Sequence, residues 1–437
     1  SGNNSFVGLG NNNIASADSS IVIGGTGSCA TAACAIVVGG KDNISSGTFN
    51  LIVGGNLNRA CSSYTAVISG FCNTSRHNYG VVAGGYENCV ASCGGFIGAG
   101  YNNIASSRCG AVVVGGKDNH MVRATDAPQF GFIGGGLGNI MSGSSYSTIP
   151  GGCGNIVKNA AYSFIGGGLA NQIAPEELLS FNYYNAIAGG ANNLIKATGS
   201  AGAVYINTIA GGLCNTIGGN NSGRTHQYNI IGGGSTNCIS SNNNILEYSA
   251  IFSGECNTIT SDFAIIGGGD NNSITAASGS ILGGRFNILS GESGFIGGGD
   301  SNTAIAKHTV LVGGTLNTAS GACSFIGGGK CNNLSSVTGY EIIVGGQSNS
   351  VTSDSEYSSI IGGLCHNICD ASGAFIGNGF CNLISDSTQA AIVSGCCNNI
   401  GGISACSFIG GGLQNRIIDS LFSSIVGGTL NTASGAC

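Results

Sequence analysis

The chain has 437 residues, of which only 7% are charged and 81 are glycine, with a formal net charge of −6. An ordinary globular domain carries roughly a quarter charged residues, so Asn, Ser, Thr and Gly must supply the polar surface. The weak acidic balance and the lack of any basic cluster exclude nucleic acid as a partner, and no apolar run approaches the roughly 20 residues of a membrane helix.

The first unit appears at once. Gly10 is followed three residues later by Asn13, and this pair recurs 26 times, to Gly428 and Asn431. The glycine is present in every copy; Ser28 and His366 alone replace the asparagine. Positions are counted below from this asparagine slot. Six residues before it stands a β-branched aliphatic, with Leu311 the one exception. A chain that repeats one short unit so often is quasi-one-dimensional. The opening residues, Ser1–Ser5, read as the tail of an earlier repeat, so the sequence reads as a mature product or an excerpt.

From Asn13 to Asn103 the slots are 15 apart, as they are again from Asn257 to Asn332. Between Asn119 and Asn257 the spacing grows to as much as 22. Fifteen residues are too few for a helical repeat of about 34, or a leucine-rich repeat of about 20–29. They suit two short strands and two tight turns. The expected fold is all-β, a narrow β-solenoid (β-roll) of about 26 coils, continuous over residues 1–437, with 119–257 as its insert-bearing section. Stacked at about 4.8 Å per coil, it would form a rod on the order of 125 Å long.

Within each unit the first strand has the form Ser-Phe-Ile-Gly-Gly, as at Ser163–Gly167. Alternation sends the minus-six aliphatic inward: Val7, Val22, Ile52, Ile97, Ile133, Ile165, Ile296, Ile326 and Ile409 represent this core column. The same alternation places minus four, nearly always Gly, on the interior side. The minus-three glycine is expected at a corner that needs a positive φ or has no room for Cβ. The asparagine column, including Asn13, Asn43, Asn58, Asn139, Asn171, Asn287, Asn317 and Asn431, is expected to satisfy backbone groups at a turn, as a ladder of stacked amides or in a left-handed conformation. Two residues after the slot a second apolar column begins the second strand.

Positions minus seven and minus five should face outward, yet both are mostly apolar. Every phenylalanine at minus seven (Phe6, Phe96, Phe132, Phe164, Phe295, Phe325, Phe375 and Phe408) is followed by Gly at minus five. Such volume compensation is expected of a packed interface, and a strand apolar on both faces is buried on both. Partner chains around an axis would provide the second layer, with these phenylalanines at the oligomer interface. Alternatively, consecutive units form opposite halves of one wider coil. The phenylalanines change parity between Phe164 and Phe295, which favours partner chains.

The unit Ser-Phe-Ile-Gly-Gly-Gly-x-x-Asn-x-(Ile/Ala)-Ser, as in Ser324–Ser335 or Gly294–Ala304, resembles the head-domain repeat of trimeric autotransporter adhesins and similar fibre-like repeats of phage and giant viruses. The resemblance spans nearly the whole chain. It implies a homotrimeric left-handed β-roll projecting from a cell or virion surface, hence an extracellular structural or adhesive fibre that meets a host receptor or glycan. A fixed asparagine and 20 cysteines depart from that family's pattern.

Four further features stand apart from the repeat's core. Cys365, Cys381 and Cys397 precede the slot in consecutive coils, so inter-coil disulfides are geometrically open to them; free thiols packing as small hydrophobes are the alternative. Long inserts (Met121–Gln129, Ala174–Asn182, Lys196–Ala203, Gly218–Gln227) should stack as a flange, and solenoid insertions fall on one, often binding, face. Tyr184, Tyr228 and Tyr248, nine before the slot, are candidates for receptor or glycan contact, against packing along the strand. The sequon at Asn220, in an insert, is the better glycan acceptor.

The five histidines have no recurring acidic partner and no CxxC exists, so neither catalysis, nor a metal, nor a cofactor is expected. An ice binder would need a regular Thr-x-Thr array. An end-to-end filament of copies is the other structural reading: Gly427–Cys437 repeats Gly313–Cys323 and stops within a unit, and joining Cys437 to Ser1 would continue the spacing.

Overall fold

A computed structural model describes residues 2–122, 130–174, 184–196, 206–218, 226–240, 246–336 and 339–435. The described residues are all-β, without a helix. Two compact units are distinguished, Ser1–Gly233 and Gly234–Cys437.

In the first unit, a two-residue strand opens each coil, from Phe6–Val7 through Ile21–Val22 to Ile230–Ile231. A second short strand follows the asparagine, from Ile14–Ala15 to Thr216–Ile217. Each strand pairs in parallel with its counterpart one coil on: Ile21 with Ile36 and Val22 with Val37, Ile44 with Arg59 and Ser45 with Ala60. The second unit repeats the plan, with first strands from Ala250–Ile251 to Ser424–Ile425 and second strands from Cys238–Ile239 to Thr432–Ser434. Its registers are equally strict, as in Phe325 with Ile342 and Ile368 with Ile384. Position minus two adds a third parallel ladder, such as Lys41–Asn56–Phe71 and Asp270–Arg285–Asp300. Each unit is therefore a parallel β-solenoid in which like positions stack on like.

The core follows from that stacking. Val22, Ile52, Ile97, Ile133, Ile165, Ile296, Ile326 and Ile409 are fully buried, each against the same position above and below. Val7 departs from the expectation and is 47% exposed, because its strand pairs on one side only, with Val22. The second column is equally buried, from Ala30 through Ile173 to Ile417. At about 1.5–3 kcal/mol per buried aliphatic, two columns per coil stabilise a continuous ladder far better than any isolated coil.

Two details of the coil differ from simple alternation. Minus four does not face the interior. Leu9, Ala99, Ser253, Asn378 and Ser394, which occupy it, are exposed, and a Cβ added to Gly39, Gly54, Gly313 or Gly345 would meet nothing within 4 Å. The strand is only two residues long, so the face sequence ends before minus four and the corner begins. Minus eight, in contrast, is interior. Ser20, Ala35, Asn50, Thr65, Ser147, Asn207 and Ser358 fill it and are all buried.

Non-glycine residues at minus one and minus nine adopt left-handed backbone: Leu57 (φ 59), Cys72 (φ 55), Tyr64 (φ 60) and Tyr146 (φ 54) are examples. Such geometry costs on the order of 1–3 kcal/mol per residue unless the surroundings over-determine it. Here it reverses the direction of bonding. Strand N–H groups donate to the next coil (Ile36 to Asn50 O, 2.8 Å), whereas the left-handed residues donate to the preceding one (Leu57 to Lys41 O, 3.0 Å; Tyr64 to Thr48 O, 2.9 Å).

Candidate functional site: the ladders and outward columns

The asparagine column runs inside the coil wall. Asn43, Asn58, Asn139, Asn171, Asn287 and Asn317 are fully buried; Asn13 is half-buried and Asn431 exposed, in the first and last coils. Asn58 shows the arrangement. Its Nδ2 donates to Gly54 O in its own coil at 3.0 Å and to Gly70 O in the next at 2.9 Å. Its backbone N–H donates to Asn43 Oδ1, and its own Oδ1 accepts from Asn73 N, both at 3.0 Å. One amide thus closes a corner, ties two coils and satisfies a buried backbone N–H. The slot itself is not left-handed; the residue before it is. The minus-three glycine is required twice over: Gly284 has φ +91, and a Cβ there would overlap the backbone of Gly299 and the Asn287 amide.

A second, shorter ladder occupies minus eight. Asn207 donates N–H to Asn185 Oδ1 at 3.1 Å, and Asn229 to Asn207 Oδ1 at 3.2 Å; elsewhere serine does the same, as in Ser163 N to Ser147 Oγ at 3.1 Å. Sequence reasoning missed this column because Ser, Ala, Asn, Gly and Thr share it and no one residue type dominates.

Two residues break their columns. His366 stands in the asparagine slot and is fully buried. It accepts the Asn382 N–H on Nδ1 at 3.1 Å, while its own N–H donates to Asn349 Oδ1 at 3.0 Å. The imidazole therefore replaces the asparagine acceptor, and burial lowers its pKa below the ordinary value, so it is neutral. Glu341 stands at minus eight, fully buried, and neither carboxylate oxygen has a well-formed hydrogen bond. Burial raises its pKa; Ser336 and the nearby backbone lower it only in part.

The first sheet's outer face is apolar and open. Phe6 is 55% exposed and Phe96 37%; Phe132, Phe164 and Phe408 are similarly exposed, and Phe295, Phe325 and Phe375 half-buried. Between them, at minus five, Ile23, Val53, Phe252, Leu282 and Val344 are also exposed. The pairing of Phe with Gly has a cause inside the chain. A Cβ on Gly166 would lie 3.1 Å from Phe164 Cε1 and one on Gly98 3.5 Å from Phe96 Cε1, besides overlapping the carbonyl of the next coil. Each ring lies over its own glycine, so the compensation does not by itself require a partner chain.

Tyr184, Tyr228 and Tyr248 are exposed. All three stand at minus nine, where Tyr228 and Tyr248 have left-handed backbone and the aromatic rings stack along the coils. Phe130, Tyr146, Tyr162 and Tyr184 form one run, with centroids 5.7, 5.1 and 5.3 Å apart. Phe49, Tyr64 and Tyr79 form another, at 5.1 and 5.2 Å. These runs are ladders of stacked aromatic rings. Asn220 and most of the insert residues lie outside the described residues. Cys365, Cys381 and Cys397 are free thiols in the left-handed minus-one column. Among the described residues no three His, Cys, Asp or Glu side chains are grouped to hold a metal, and no helix is long and apolar enough to cross a membrane.

Comparison with known proteins finds no family model that matches the chain and no match among curated proteins.

Proposed function

We propose that this protein is a structural fibre component, displayed outside the cell or on a virion, that assembles with copies of itself through the outer face of its first sheet. The observation that carries the reading is that this face is apolar in coil after coil, and among the described residues nothing covers it. A soluble monomer seldom exposes a contiguous apolar patch beyond about 300–600 Å². With roughly 80 Å² per exposed aliphatic or aromatic, ten coils of this face reach about 800 Å², the share of one partner in a stable interface. Three copies about an axis would bring three such faces together, in keeping with the resemblance of the repeat to trimeric adhesin heads. The low charge and the absence of paired catalytic groups in the repeat favour a structural role over catalysis.

Sedimentation equilibrium tests this. The wild-type chain should give a defined oligomer, with a trimer mass as the expected value, and Phe325→Asp with Ile342→Asp should return it to monomer. Open-ended polymers would favour the end-to-end filament, and a wild-type monomer at high concentration would sink the reading. Adhesion is a separate claim. Exposed stacked rings such as Tyr146, Tyr162 and Tyr184 suit the apolar face of a sugar, and a glycan array on which the oligomer binds nothing would remove it.

A further inference from the structure

Coil stacking puts residues of one column a single strand spacing apart, about 4.8 Å, which lies inside the Cα window of 4.4–6.8 Å for disulfides. Two sets of cysteines occupy one column in neighbouring coils. Cys93 is bridged in parallel to Cys109, and Gly110 N–H donates to Cys93 O at 2.8 Å. In the second unit, Cys381 N–H donates to Leu364 O and Cys397 N–H to Phe380 O, both at 2.8 Å, which seats each against the coil before it. The side chains meet as the backbones do: the Cys93 thiol has that of Cys109 as its neighbour and partner, and the Cys381 thiol that of Cys365. All four are free and at least partly exposed to solvent. No three of the described thiols, carboxylates and imidazoles are grouped to hold a metal, which leaves oxidation as the chemistry open to them.

We propose that Cys93–Cys109 and Cys365–Cys381 are oxidisable pairs, each closing a disulfide between adjacent coils when the protein meets a disulfide oxidant such as oxidised glutathione. One cysteine thiolate attacks the oxidant, forming a mixed disulfide and releasing one glutathione thiolate. The second cysteine thiolate attacks the protein sulfur of that mixed disulfide and expels the second glutathione. The two protons lost by the protein end on the two glutathione thiols; the protein is oxidised by two electrons and the oxidant reduced by two. Burial and the neighbouring thiol hold the Cys93 and Cys381 thiols above their ordinary pKa, so closure quickens as pH rises.

Cys381 also has Cys397 on its other side. The choice of Cys365 follows from contact: the Cys381 thiol hydrogen-bonds with that of Cys365 and not with that of Cys397, whose Sγ instead lies 3.2 Å from Cys396 Sγ. Each staple closes a loop of one coil and restrains the unfolded chain.

The test uses the full chain, reduced and then equilibrated with oxidised glutathione, with residual thiols alkylated before peptide mapping. Cleavage after Arg108 separates Cys93 from Cys109, and cleavage before Asp370 separates Cys365 from Cys381. The expected result is cross-linked peptides joining these partners. Cys109→Ser should abolish the first and leave the second, and Cys365→Ser the reverse. The oxidised wild type should unfold at higher urea than the reduced, and the double variant should show no such difference. Each pair stands separately: it is overturned if its cysteines stay alkylatable, carry only glutathione, or join other residues, Cys381 to Cys397 included.

Discussion

Replacing Asn287 by alanine tests the ladder within the second unit. The asparagine Nδ2 donates to Gly283 O at 3.2 Å, Gly299 O at 3.1 Å and Asn272 Oδ1 at 3.0 Å, and its Oδ1 accepts from Asn302 N at 3.1 Å. Gly299 O keeps a second donor, the Arg285 N–H at 2.9 Å, so its loss is small. The Asn302 N–H keeps none in a fully buried site, and an orphaned buried donor costs about 1–3 kcal/mol, with about 1 kcal/mol for each ordinary bond lost. The substitution should therefore destabilise by about 2–4 kcal/mol. Histidine supplies an acceptor in this slot at position 366, so Asn287→His should cost less than Asn287→Ala. Hydrogen exchange by mass spectrometry is the suitable assay, because repeat arrays need not unfold in one step. Protection should fall around residues 287–302 and little elsewhere. A cost within about 0.5 kcal/mol, the range of an ordinary surface change, with unchanged exchange at Asn302, would refute the ladder as a source of stability.

The two corner glycines should respond oppositely: Gly284→Ala should destabilise by about 3 kcal/mol or more, from strain and overlap together, whereas Gly313→Ala, with open space around its Cβ, should change stability by under about 1 kcal/mol in urea unfolding. Glu341→Gln should stabilise at neutral pH. The folded pKa of Glu341 is raised by burial, so its penalty is absent below the unfolded value near 4.5 and grows as pH rises to the folded pKa; the gain should vanish in urea titrations at acid pH. His366 has the opposite linkage: its folded pKa is lowered, so stability is complete above the unfolded value near 6.5 and falls as pH drops below it. His366→Asn should remove that loss between neutral and mildly acid pH, as read by the urea midpoint, and an unchanged pH slope would show that the imidazole is already solvated.

Strict repetition made the solenoid legible before any coordinates. Twenty-six copies of one pattern average away the ambiguity of a single short strand, and only in-register stacking makes Val37 the neighbour of both Val22 and Ile52. The glycine and asparagine were legible for the same reason: each meets its own copy in the next coil, so a lapse at one position damages two. Other features carry no residue signature. Cys72, Leu57 and Glu87 share a left-handed backbone that none of them favours, because a backward hydrogen bond to the preceding coil imposes it. Minus four turned outward because a two-residue strand ends before alternation reaches it, a length set by the corner and not by hydropathy. The rings of Tyr146 and Tyr162 became a stack, and Cys93 the neighbour of Cys109, through register alone. Residues at 15- to 22-residue separations meet only when the coils lie on one another, and that long-range pairing is a property of the folded chain.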